Sequence, residues 1–459
     1  MATFRLFPAY LAILTLVLTD AVYAQKPSKD IETYWPQWRG PLCNGVAPKA
    51  NPPTEWSEKK NVRWKVELPG LGHATPVIWG DTLYVLTAAE KKSEPDAVMD
   101  LYLQDPEQPR ERRRRPGFAR RPAPPSKVYQ FQVLALDRKT GKTRWTTTVR
   151  EEKPHEAGHT DSTHASPSPV TDGKHLYAHF GSRGLYCLDL KGNIKWEVDL
   201  GDMRTRNEFG EGSSPALHGD TLVVNWDHEG DSFIVALDAA TGKERWRVER
   251  DEPTSWSTPL ILEVDGKPQV IVSATNYIRS YDLATGKEVW RCGGMTANAI
   301  PTPIAGNGLL YCLSGFRGNA LLAIRYEKAR GDITDSPAVV WKHDRDTPYV
   351  PSALLYDDSL YFLDHNKAIL SCFDAKAGKP RYDKQRLPGL EGVYASPVGA
   401  GGRVYIAGRN GKTIVLRHAK KFEVLATNEL EDGFDASPAI AGDELYLRGR
   451  KALYCIAAK

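Results

Sequence analysis

The sequence predicts an all-β fold: an eight-bladed β-propeller of four-stranded antiparallel blades, closed by an N-terminal strand. Three observations predict it. A Ser/Thr-Pro step followed by a turn and an apolar strand recurs along the chain. A second unit, strand–Asp–turn–Trp, alternates with the first. The interval between copies clusters near 45 residues, which is the length of one propeller blade. Composition agrees, because 12 Trp and 20 Tyr against 4 Met favour aromatic-rich strands over Met-rich helical cores.

The first unit reads TPVIWGDTLYVL from Thr75, SPVTDGKHLYAHF from Ser168, SPALHGDTLVVNW from Ser214, TPIAGNGLLYCL from Thr302, SPVGAGGRVYIAG from Ser396 and SPAIAGDELYLRG from Ser437. A copy at Thr258-Pro259 has a longer turn through Asp265-Gly266. A copy at Ser352-Ala353 has lost its Pro but keeps its spacing to Leu360. The Pro-equivalent positions are 76, 169, 215, 259, 303, 353, 397 and 438, with intervals of 93, 46, 44, 44, 50, 44 and 41. The long first interval marks an insertion.

The second unit is VLALDRKTGKTRW ending at Trp145, IVALDAATGKERW ending at Trp246 and IRSYDLATGKEVW ending at Trp290. Shorter or altered copies end at Trp196 and Tyr382. In each, Asp can accept hydrogen bonds from the turn, Gly supplies a positive φ, and the Trp returns on an outer strand to pack over its neighbour. Outer strands also end at Trp341 and run through KKFEVLATNEL. The eighth is missing from the C-terminus but present as NVRWKVEL around Trp64. The first and last segments are therefore expected to complete one blade, which removes two exposed strand edges.

The domain plan is a signal peptide over 1–24, an N-terminal segment over 25–60 and the propeller over 61–459, with an Arg/Pro-rich insertion at 90–127. Arg5, the apolar run Leu6 to Leu18 and Val22-Tyr23-Ala24 fit an export signal cleaved after Ala24. The run ends at Asp20, short of the roughly 20 apolar residues that a membrane anchor needs. The mature chain is thus expected to be exported, periplasmic or extracellular, monomeric, and without a transmembrane segment. YWPQWRGPLCNGV from Tyr34 reads as a plug or clasp on the propeller. The insertion, with Arg112 to Arg115, reads as a solvated loop or a docking patch for an acidic surface. With 61 basic against 57 acidic residues, a nucleic-acid partner is not expected. Cys187, Cys372 and Cys455 share one repeat position with Ala135, Ala236, Ser280, Ala323 and Val415. That pattern asks for a small buried side chain and reads as reduced thiols. Cys43, Cys292 and Cys312 fit no such position.

The unit A-x-D-x-x-T-G-x-x-x-W, repeated around eight blades over about residues 34 to 459, resembles the PQQ-like repeat propellers. That superfamily includes quinoprotein alcohol dehydrogenases and the BamB-like envelope proteins, so the resemblance implies either a binding module or an oxidoreductase. Its dehydrogenases stack pyrroloquinoline quinone between a Trp and a vicinal Cys-Cys disulfide, and hold calcium with a Glu, an Asn and an Asp. No two Cys are adjacent here, the calcium set has no match, and a C-x-x-C-H haem site does not occur. The expected function is therefore an exported, non-catalytic binding or scaffolding module of the cell envelope, with no cofactor. The alternative is an alcohol dehydrogenase-like oxidoreductase using that quinone with calcium. A hydrolase or lyase at the channel mouth is a third class, but neither a G-x-S-x-G elbow nor a P-loop is present.

The loops leading into the innermost strands should gather around the channel on one face. The candidate ligand-binding residues are His73, His164, Glu211, Trp256, Asn298, Tyr349, Tyr394 and Asp435. They suit an envelope protein, a peptide or a small polar ligand. Counting two residues before each Ser/Thr sharpens the rim to His73, Trp256, Tyr394 and Asp435, with Ser166, Gly212, Ile300 and Val350 at the other four places. His155, His159, Asp161 and His164 form the densest His cluster. Its spacing reads as a surface loop rather than a zinc or copper site.

Overall fold

The computed structural model of the chain describes residues 31–91 and 125–458. The signal peptide expected at 1–24 and most of the 90–127 insertion lie outside the described residues. Among those residues the strands form eight sheets. Blade 1 comprises Val77–Trp79, Thr82–Glu90, Tyr129–Asp137 and Thr143–Glu152. Blade 2 runs from Val170–Thr171 out to Ile194–Val198, blade 3 from Ala216–His218 to Glu244–Arg250, and blade 4 from Leu260–Val264 to Glu288–Cys292. Blade 5 runs from Ile304–Gly306 to Val339–His343, blade 6 from Leu354–Tyr356 to Pro380–Arg386, and blade 7 from Val398–Ala400 to Val424–Glu429. Blade 8 joins Ala439–Ala441, Glu444–Arg448 and Ala452–Ile456 to Val62–Glu67. Trp64 lies opposite Cys455 in that last antiparallel pair, so the two ends of the chain close the ring in one blade.

Every innermost strand begins right after the Pro or its equivalent, and the Ser/Thr before it has a structural duty. The N–H of Thr75 donates to Ser168 Oγ (2.9 Å), that of Ser168 to Ser214 Oγ (2.8 Å) and that of Ser214 to Thr258 Oγ1 (3.0 Å). Thr302, Ser352 and Ser396 continue the pattern to Ser352, Ser396 and Ser437 at 2.9 Å each. Radially aligned strands leave these inner N–H groups without a ladder partner, and the hydroxyl of the next blade satisfies them.

The Asp–turn–Trp unit makes the outer contact between blades. Asp238 Oδ1 accepts from the Thr241 N–H (2.9 Å) and Thr241 Oγ1 (2.8 Å), which leaves Gly242 at φ +71. A Cβ at Gly242 would sit 2.8 Å from the Trp196 ring of blade 2, and Trp196 Nε1 donates to Ala239 O (3.0 Å). Glycine is required there by both the positive φ and the indole lying on it. The same seat recurs as Trp64 on Gly141, Trp145 on Gly192, Trp246 on Gly286 and Trp341 on Gly378.

The N-terminal segment runs beneath the ring. Trp35 bridges to Ile78 in blade 1, and the Thr171 N–H of blade 2 donates to Pro36 O (2.9 Å). Trp38 Nε1 then reaches Thr302 Oγ1 of blade 5 (2.8 Å). Arg39 Nη2 donates to Ala353 O and Pro397 O at 2.8 and 2.9 Å. The chain turns outward along blade 7, where Val46 bridges to Gly399 and the Trp56 N–H donates to Asn428 Oδ1 (2.8 Å). It then enters blade 8. All six cysteines are unpaired thiols, and burial raises those of Cys187 and Cys455 to about 12.

Candidate functional site

Strands in each blade alternate in direction, so two sets of loops open on the same face. One set precedes the innermost strands, and the other joins the second strand to the third. Together they enclose a cavity of about 450 Å³ on the ring axis. All eight places two residues before the Ser/Thr line it: His73, Ser166, Gly212, Trp256, Ile300, Val350, Tyr394 and Asp435. The hydroxyl ring, from Ser168 round to Ser437, and Trp38 of the N-terminal segment also line it.

Of the candidate residues, His73, Glu211, Trp256, Tyr349, Tyr394 and Asp435 line the cavity, whereas His164 and Asn298 do not. His164 packs edge-on against Tyr129 (5.0 Å between centroids) in a small cleft behind the rim. Asn298 is buried at φ +56, and its Nδ2 lies 3.5 Å from the Tyr349 hydroxyl, so it sits behind a rim residue. Both are four residues before the Ser/Thr, one turn of loop away from the register that reaches the axis. Glu211 is held by the Ser182 N–H and Oγ at 2.6 Å each, and burial raises its pKa.

The rim is chemically divided. Blades 4 to 6 supply Trp256, Ile300, Phe316, Tyr349 and Val350, and Phe209 joins them. Phe316 stacks on Tyr349 (4.9 Å, 24°), and Trp256 is oriented by its Nε1 donating to Gly210 O (2.6 Å). Blades 7, 8 and 1 supply a charged network. Arg409 Nε and Arg450 Nε each donate to Asp435 at 2.7 Å, while Arg409 Nη2 donates to Asp161 at 2.5 Å. The Tyr394 hydroxyl donates to Asp161 (3.1 Å), and its ring lies under the Arg409 guanidinium at 4.1 Å. The hydrogen bond from Arg409 pulls the Asp161 pKa down. His73 Nε2 is 3.8 Å from Asp435, yet burial, reinforced by Arg448, Arg450 and Arg409, lowers its pKa to about 4. It is therefore a neutral imidazole at pH 7, not half of an ion pair.

His159, Asp161, Ser162, Phe209 and Phe316 line the cavity but were not placed there by the repeat, and Arg409 and Arg450 hold it from behind. Phe316, Arg409 and Arg450 lie in loops between second and third strands. The antiparallel alternation alone assigns those loops to the same face, and that signal was available in the sequence. His159 and Asp161 come from the His-rich loop. Among the described residues, no three His, Cys, Asp or Glu groups converge on a possible metal position.

The quinone implied by the dehydrogenase side of the resemblance does not fit these residues. Its vicinal disulfide has no counterpart in six separate thiols. The rim carboxylates Asp161 and Asp435 are saturated by arginines, and Glu211 is held by Ser182. Trp38 of the N-terminal segment lines the same cavity, its Nε1 donating to Thr302 Oγ1.

An eight-bladed ring of four-stranded antiparallel blades, one of them extended by the short parallel strand Gly331–Asp332, stitched by a Ser/Thr belt and Trp–Gly seats, defines a PQQ-like repeat propeller. The family model described as outer membrane protein assembly factor BamB matches residues 129–253 and 230–459, and the chain belongs to that family. Among solved structures it is similar to BamB from Moraxella catarrhalis, with 15% identity over 71% of this chain and 93% of that one (TM-score 0.53). It is also similar to the computationally designed Ika8 protein, with 10% identity over 74% and 94% (TM-score 0.50). The quinohemoprotein alcohol dehydrogenase from Comamonas testosteroni aligns at 12% identity over 93% and 81% (TM-score 0.48). No curated protein matches the sequence. No helix among the described residues is long and apolar enough to cross a membrane.

Proposed function

We propose that the protein is an exported, non-catalytic binding module of the cell envelope that takes a peptide or protein segment in its channel mouth. One observation carries this reading: the divided rim. Aromatic faces on one side and a pre-formed Arg–Asp–Tyr network on the other offer stacking and directional hydrogen bonds to a bound segment. The cavity volume lies within the range of small-ligand pockets, so it suits one or two side chains of an extended segment. Membership of the BamB family supports a protein partner.

The test is selection from a displayed peptide library on the immobilised mature protein, repeated with Trp256→Ala combined with Tyr394→Ala. Peptides enriched on the wild type should be lost from the folded double variant. Equal enrichment would remove the site from this face. The same preparation, supplied with pyrroloquinoline quinone and calcium, should show no dye-linked alcohol oxidation.

A further inference from the structure

Position 448 is where one blade departs from the chemistry of the other seven. The residue of the innermost strand that faces Tyr446 is Ala439, and the corresponding pairs in blades 1 to 7 set the register. Two places beyond that pair the chain has Leu86, His179, Asn225, Ser273, Leu313, Leu363 and Ala407, and in blade 8 Arg448. All eight side chains are buried. His179 is held neutral, since burial lowers its pKa to about 4. The fold therefore accepts apolar or neutral polar groups at this place and does not require a cation.

Arg448 is 2% exposed and, among the described residues, makes one hydrogen bond, from Nη1 to Ala74 O (3.2 Å). Among the described residues no carboxylate lies within ion-pair distance of it. Asp435, which lines the same cleft, is taken by Arg409 and Arg450. The cost of this isolation shows in a guanidinium whose pKa burial lowers to about 9, with nothing opposing the shift. The chain also makes room for it. A Cβ at Gly72 would come 2.2 Å from Arg448 Nη2, and Gly72 is not among the glycines with positive φ, so space rather than backbone conformation calls for glycine there.

The guanidinium faces a cleft of about 20 Å³, lined by Gly72, His73, Asp435, Arg450 and Lys451, and this is room for one water-sized group. His73 and Asp435 also line the channel mouth. We propose that this cleft is an anion subsite of the mouth, in which Arg448, flanked by Arg450 and Lys451, receives one oxygen of a carboxylate or phosphate on the bound ligand. The inference rests on the mouth being a binding site. It assigns the ligand an anionic end that points toward the seam between blades 8 and 1, with its apolar part against Trp256. A buried guanidinium is suited to this role because it stays charged and its planar fork matches an oxyanion.

The probes are N-acetyl-tryptophan and N-acetyl-tryptophanamide, which share an indole and differ in one terminal charge. Calorimetric titration should show the acid binding the wild type about tenfold tighter, a difference of 1.4 kcal/mol. Arg448→Leu installs the residue of blades 1, 5 and 6. It should bring the ratio close to one, leave the affinity for the amide unchanged and not lower the melting temperature. Arg448→Asn, the residue of blade 3, is read in the same way if the leucine variant does not fold. Trp256→Ala should weaken both probes equally and keep the ratio. A wild-type ratio near one, or a ratio retained without Arg448, overturns the proposal. If neither probe binds, the mouth reading fails first, and the cleft is then judged with simple anions. Acetate and inorganic phosphate, at constant ionic strength, should raise the melting temperature of the wild type but not of Arg448→Leu. A response to phosphate alone assigns a phosphoryl group, a response to both leaves the carboxylate, and no response overturns the subsite.

Discussion

Five of the eight junctions between blades carry the Trp–Gly seat, and three do not; the contrast shows how a propeller tolerates lapses in its own repeat. Between blades 4 and 5, Trp290 is fully buried, but its Nε1 has no partner. The facing turn of blade 5 has lost the Thr-Gly-Lys sequence. In its place Gly331–Asp332, from the chain of blade 5, pairs in parallel with the outer strand of blade 4. At the junctions of blade 7 with blades 6 and 8, the outer positions are Tyr382 and the Val424–Glu429 strand. There the N-terminal segment runs along blade 7, and Trp56 stacks with Tyr405 at 6.4 Å. Each missing seat coincides with chain recruited from elsewhere. Between blades 4 and 5 the substitute comes from the neighbouring blade itself, whereas around blade 7 it comes from the N-terminal segment, more than 350 residues away in sequence.

That contrast can be broken experimentally. The largest effect should come from Trp64→Ala, at the seat that also closes the ring. It should cost ~3–5 kcal/mol in denaturant unfolding, as for other large-to-small aromatic truncations. A loss similar to that of an exposed residue would mean that the strand Val62–Glu67 does not hold the ring shut.

Acidification tests a seated junction from its inner end. His179 packs 6.0 Å from Trp226 across blades 2 and 3, and its Nε2 has no partner. Its folded pKa of about 4 lies below the ordinary 6.5. Its contribution to stability is therefore present above pH 6.5 and is lost as the pH falls toward 4. The loss is on the order of 3 kcal/mol for a shift of this size. His179→Leu should remove its share of the loss across that window and leave the share of His73, whose folded pKa is also about 4; an unchanged pH profile would mean that His179 carries none of it.

A smaller effect is expected from Gly286→Ala. The substitution places a Cβ at φ +73, 2.8 Å from the Trp246 ring. Strain and displaced indole together should cost about 2 kcal/mol, while Gly266→Ala, also at positive φ but with open space around it, should cost only the backbone part. Equal losses would deny the seat its packing role. The smallest difference should be Trp290→Phe against Trp246→Phe. The first removes a buried N–H that has no partner, and the second removes one that donates to Leu283 O at 2.8 Å. The Trp246 variant should be the less stable of the two by about 1 kcal/mol.

Much of the blade plan was legible because it is written in short-range chemistry. Asp, Thr and Gly three or four residues apart specify a turn wherever they fall, and the Ser/Thr-Pro step marks each innermost strand. The closing strand at Trp64 could be inferred by counting, since eight first halves need eight outer strands. The rim was legible from its distance to the Ser/Thr: His73, Trp256, Tyr394 and Asp435 two residues before it, and Glu211 and Tyr349 three before it, line the cavity, whereas His164 and Asn298 four before it do not.

Sequence by itself thus determined the number of blades, the pairing of the chain ends and four residues of the mouth, because each depends on a period or a local turn. Tertiary structure alone decided that Asp161 meets Arg409 and Tyr394 across more than 230 residues of chain. It alone decided that Trp38 joins the lining of the cavity, and that Arg448 lies buried without an ion-pair partner among the described residues. Those facts depend on which loops face one another after the ring has closed. The free energy of a charge in such a place is set by its three-dimensional neighbours, and a linear pattern does not contain them.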